Sequence, residues 1–66
     1  MLFYYYDYLL IQNYVKVKRI ENCEVEILMK DYTFFINGEC LKITYFSKEE
    51  LKIEGNIQNI KITYEK

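Results

Sequence analysis

Apolar and polar residues alternate with a period of two along most of the chain. Val25 and Ile27, Leu41, Ile43 and Tyr45, Leu51 and Ile53, then Ile60, Ile62 and Tyr64 recur at every second position, with charged residues or threonine between them. No window repeats at the helical period of about 3.6 residues. The apolar positions are filled by Ile, Val, Tyr and Phe, whose branched and aromatic side chains suit a pleated, half-buried surface. The pattern predicts strands near 2–12, with a break at Asp7, and then near 14–19, 23–30, 32–37, 39–46, 50–54 and 57–64. Short loops between them make neighbours antiparallel. The expected fold is all-β: an antiparallel meander of about six short strands, as one curled sheet or a small sandwich or barrel-like packing. Residues 1–66 are expected to form a single small β domain.

The chain has two glycines and no proline, and each glycine neighbours an asparagine. Asn37-Gly38 and Gly55-Asn56 both sit between alternating runs, which is the sequence signal of a two-residue hairpin. In that reading Ile36 faces Glu39, Phe34 faces Leu41 and Tyr32 faces Ile43, so Tyr32, Phe34, Ile36, Leu41, Ile43 and Tyr45 fall on one face and a mixed set, Phe35 and Cys40 among it, on the other. Across the second turn Leu51 faces Ile60. Asn37, Gly38, Gly55 and Asn56 are therefore expected as structural turns. A further hairpin is expected around Ile20-Glu21-Asn22, with Asn22 left-handed and Lys16 and Lys18 opposite Glu26 and Glu24. Ser47-Lys48-Glu49-Glu50 fits a capping box, yet the residues after it alternate, so a tight loop is expected there.

Composition adds a surplus. Apolar residues make up 52% of the chain and aromatics 18%, while a chain this short hides only about 60% of its unfolded surface. Some apolar side chains must then face a partner, which predicts a homo-oligomer. Net charge is −1, from nine basic and ten acidic residues. That leaves no electrostatic footprint for nucleic acid or anionic lipid. Cys23 and Cys40 are too few for a disulfide scaffold and are expected as reduced, packed thiols. The first residues, MLFYYYDYLLI, lack a positive n-region and a cleavage site and are too short to span a bilayer, so no membrane insertion and a cytoplasmic location are expected.

Candidate chemistry is sparse. The chain has no histidine and a single serine, Ser47, and its two cysteines have no zinc-ligand spacing. Glu49 and Glu50 are adjacent and point to opposite faces of a strand. No catalytic, cofactor-binding or metal-ligating residue is expected, and the protein is read as not an enzyme. Phe3, Tyr4, Tyr5, Tyr6 and Tyr8 form the candidate interaction surface. They admit three readings: a base-stacking platform, a core strand with wet hydroxyls, or an assembly edge. Asp7 beside them favours assembly. The alternative is a nucleic-acid-binding small β-barrel, Sm-like or OB-like.

Ile36-x-Gly38-x-x-Leu41-x-Ile43, followed by Glu49-Glu50-Leu51-x-Ile53-x-Gly55-x-Ile57-x-x-Ile60, resembles the C-terminal half of YabP/YqfC-type sporulation proteins. Upstream, Ile11-x-Asn13-Tyr14 and Val25-x-Ile27 are similar to that family's earlier segments, so the resemblance covers about residues 10–64. The N-terminal MLFYYYDY departs from the longer polar lead-in of the family. The resemblance implies a non-enzymatic mother-cell protein acting in sporulation or coat assembly, with other coat-assembly proteins as partners and no cofactor.

Overall fold

The computed structural model describes residues 2–5 and 7–64. These form β1 (Leu2–Tyr4), β2 (Tyr8–Gln12), β3 (Lys16–Ile20), β4 (Glu24–Leu28), β5 (Tyr32–Phe46) and β6 (Glu50–Tyr64). All belong to one sheet of order β1-β2-β6-β5-β4-β3, and every neighbouring pair is antiparallel. The expected all-β fold and the break near Asp7 are present. The strand order departs from a simple meander at one point, because β2 pairs with β6.

The turns expected at Asn37-Gly38 and Gly55-Asn56 are not turns. All four residues lie inside β5 and β6, each of which runs for 15 residues. Four expected short strands are thus two long ones, and Phe34 and Leu41 lie on the same strand. The glycines serve a different need. A Cβ on Gly38 would collide with the backbone carbonyl of Asn56, and one on Gly55 would sit 2.6 Å from the carbonyl oxygen of Cys40. Gly55 also has φ of +134°, outside the range L side chains favour. The β5–β6 register shifts between Asn37 and Gly38 and again between Glu39 and Lys42. Such bulges bend and twist the strands that carry them, and only glycine lets the two backbones approach this closely there.

The actual β5–β6 turn is the tight loop expected at Ser47–Glu50. The Ser47 amide donates to the Glu50 carbonyl at 2.8 Å, and the Glu50 amide donates back to Ser47 Oγ at 3.2 Å. The β3–β4 turn differs from expectation. Ile20 stays in β3 opposite Val25, and the Glu21 amide donates to the Glu24 carbonyl at 2.8 Å. Among the described non-glycine residues the positive φ angles fall on Asn13 (61°) and Cys40 (54°), not on Asn22. A bulge at Lys18 then shifts the register so that Arg19, not a lysine, faces Glu26. Arg19 bonds Glu24 at 2.5 Å and approaches Glu26 at 3.6 Å. The hydrogen bond to Glu24 and the charges of Glu21, Glu24 and Glu26 raise its pKa further.

The sheet has to curl. β2 and β3 are separated in the sheet by β6, β5 and β4, four strand spacings or roughly 19 Å if flat. They are joined by residues 13–15 alone, which bridge at most roughly 14 Å fully extended. The halves on either side of the bulges therefore fold toward each other, without closing into a barrel. The Cα radius of gyration, 10.7 Å, matches the roughly 11 Å of a compact chain of this length. Leu9 and Ile11 of β2, Leu51 and Ile53 of β6, Val25 and Ile27 of β4 and Ile36 of β5 are all completely buried, in one cluster with Met29, Phe34 and Leu41.

Cys23 and Cys40 are unpaired thiols but exposed rather than packed. Because Cys40 pays for a left-handed backbone that asparagine tolerates, Cys40→Asn should stabilise the fold by about 0.5 kcal/mol. A rise in the urea unfolding midpoint would show it.

Candidate interaction surface

Alternation decides what the β1-β2-β6-β5 half presents outward. Leu9, Ile11, Leu51 and Ile53 point into the core, so the residues between them point out. Across four strands Phe3 is paired with Leu10, Leu10 with Lys52 and Lys52 with Tyr45. The next row is Tyr8, Glu54 and Lys42. Directly opposed side chains in a sheet lie about 4.5–5.5 Å apart, so these rows form one surface.

The surface is aromatic with a charged pair set into it. The Lys52 ammonium lies 4.3 Å from the centre of the Tyr8 ring and 3.7 Å from Glu54. Thr44 Oγ1 donates to the same Glu54 carboxylate at 2.8 Å. Tyr5 stacks on Tyr8, centroids 4.6 Å apart and 22° from parallel. Phe3 and Tyr45 remain exposed at its two ends.

Of the sequence-predicted surface, Phe3, Tyr5 and Tyr8 come together. Tyr4 is opposite Leu9, on the core side of the sheet, yet stays exposed on the edge strand β1. Tyr6 lies outside the described residues. Tyr45 and Lys52 were missed, because their membership depends on β6 lying between β2 and β5. The signal for that pairing was the matching alternation of Leu9-x-Ile11 and Leu51-x-Ile53.

Asn13 and Tyr14, which carry part of the family resemblance, have structural duties. Left-handed Asn13 turns the chain from β2 toward β3, and its amide donates to the Glu49 carbonyl at 2.7 Å. The Tyr14 hydroxyl donates to the Ser47 carbonyl, and Gln12 Nε2 donates to Glu50 at 3.1 Å. The crossover is thereby tied to the β5–β6 turn.

Among the described residues no three His, Cys, Asp or Glu side chains gather to hold a metal ion, and no helix is long and apolar enough to cross a membrane. The sequence profile of the YabP family matches residues 7–66. Neither a curated protein nor a solved structure shows significant similarity to the chain.

Proposed function

The chain belongs to the YabP family, a sporulation-associated family, and from that premise we propose that it acts in spore coat assembly through protein–protein contacts and self-association, without catalysis, in the mother cell. The observation that carries this reading is the outward aromatic surface of Phe3, Tyr5, Tyr8 and Tyr45 around Lys52. A small monomer has little reason to keep such a patch in water. Aromatic side chains are the residues that dominate binding energy at protein interfaces. The charge pattern supports a protein partner over nucleic acid, since both cations of these rows, Lys52 and Lys42, lie beside the Glu54 carboxylate.

The reading is tested in an endospore-former whose own copy of the gene is deleted. Heat-resistant spores should fall on deletion and return with the wild-type gene. A Phe3→Ser/Tyr45→Ser double variant should accumulate to the normal level yet fail to restore them. Loss of about 2 kcal/mol per interface aromatic would weaken binding roughly thirty-fold at each position. Full rescue by the double variant would overturn the surface's role, and normal sporulation of the deletion strain would overturn the function.

A further inference from the structure

We infer that the second half of β6 is a self-recognition edge: residues 60–64 pair antiparallel with the same residues of a second copy, about a two-fold axis at Ile62. This rests on the self-association proposed above and names its site.

Burial falls along the rows that reach this edge. Ile27 is 0% exposed, its neighbour Phe34 is 4% and the next residue in the row, Ile62, is 46%. Tyr64, beside half-buried Tyr32, reaches 70%. These side chains lie on the core face, so the core simply runs out at β6. The cause is the topology. β2 pairs with Glu50–Glu54 of β6, and beyond that point, among the described residues, β6 has a neighbour on the β5 side alone.

The other edges are guarded. β1 is three residues long. β3 carries Lys16, Lys18 and Arg19 and is bulged at Lys18. The second half of β5 has register shifts between Glu39 and Lys42 and between Ile43 and Tyr45. By contrast, Asn59 to Tyr64 pair with Asn37 to Tyr32 without a shift. A regular, unbulged edge is a template for strand addition.

The side chains select a second copy as the occupant. A two-fold pairing that keeps both apolar faces on one side must place a residue on the axis. An axis at Lys61 sets two ammonium groups directly opposite, which is unfavourable. An axis at Ile60 puts Ile62 against Gln58, which the bulge between Ile57 and Asn59 leaves out of the ladder. An axis at Thr63 engages only residues 62–64 among those described. With Ile62 on the axis, Ile62 meets the partner's Ile62, Ile60 meets the partner's Tyr64 and Lys61 meets the partner's Thr63. No like charges meet, and the unpaired backbone groups of both copies are satisfied at once. A foreign strand would leave the second copy's edge open.

The test is sedimentation equilibrium of the purified chain across the micromolar range. Wild type should dimerise. Ile62→Lys and Tyr64→Lys, both at exposed positions, should keep the wild-type circular dichroism while the dimer dissociation constant rises at least a hundredfold. Ile20→Lys, at an exposed position of β3, should leave the dimer intact. With both native cysteines replaced by serine, Ile62→Cys should cross-link to itself through a short bismaleimide. A wild type that stays monomeric, folded Ile62→Lys and Tyr64→Lys chains that both still dimerise, or a dimer whose Ile62→Cys does not cross-link would each overturn the inference. A monomeric wild type with defective Phe3→Ser/Tyr45→Ser spores would sink this edge and the self-association, and spare the role in coat assembly. Dimer loss alongside normal sporulation of the deletion strain would do the reverse.

Discussion

Gly38→Val is expected to leave no folded protein at room temperature. The added Cβ would overlap the Asn56 carbonyl oxygen and lie 3.0 Å from its carbon and 3.1 Å from Ile57 Cα. These are backbone atoms of a paired strand, so the obstruction cannot rotate away as a flexible side chain would. Relief requires separating β5 from β6 at the centre of the sheet. A cost above about 4 kcal/mol is the size reserved for such steric faults. A domain of this length has only roughly 3–10 kcal/mol to lose. Even Gly38→Ala, a change that would stabilise an ordinary strand by about 0.5–1 kcal/mol, should destabilise here, because its Cβ meets the same Asn56 carbonyl. Asn37→Ala is the control. In a two-residue turn Asn37 would need a positive φ, but here it sits in extended backbone opposite Asn59. Its replacement should cost less than about 1 kcal/mol, including a long 3.3 Å hydrogen bond to Glu24 of modest net worth. Urea denaturation followed by circular dichroism separates the three variants.

Ile36→Ala should cost about 3–4 kcal/mol. Ile36 is completely buried, between Val25 on β4 and Ile60 on β6. Truncation removes its transfer energy and leaves a cavity in a core too thin to close over it, a change that typically costs 2–5 kcal/mol. The companion is Ile62→Ala, two residues along β6 from Ile60. Ile62 is only half covered, so the loss measured on dilute, monomeric protein should be about 1 kcal/mol. At concentrations where the two-fold pair forms, the Ile62→Ala penalty should grow, because the partner's Ile62 then buries what solvent had reached. The Ile36→Ala penalty should not change. Equal penalties for the two variants in dilute solution would show that the core does not end at β6.

Much of the fold was written in the alternation of side chains. Tyr32, Phe34 and Ile36 share a face, as do Ile60, Ile62 and Tyr64, and both expectations hold. What alternation could not fix was which strand each row meets. A glycine beside an asparagine reads the same whether the chain reverses or merely bends, since both ask for backbone freedom or a missing Cβ. The deciding fact is spatial: the two glycines sit near each other on facing strands, and each accommodates a carbonyl of the other strand. The Lys18 bulge was hidden for a related reason. One extra residue in β3 gave Arg19 the carboxylates that simple alternation assigned to Lys16 and Lys18. The candidate surface was legible only in its contiguous part, Phe3, Tyr5 and Tyr8. Tyr45 and Lys52 joined it through a pairing between distant parts of the chain.

That pairing also sets a clock. β2 finds its partner on β6 about 40 residues later in the sequence, so during synthesis β1 and β2 have only each other to pair with. The aromatic stretch that β1 and β2 share must wait until β6 has emerged. Long-range closures of this kind are slow steps in folding and leave apolar segments open to wrong encounters. Of all the ladders in the sheet, β2–β6 should form among the last.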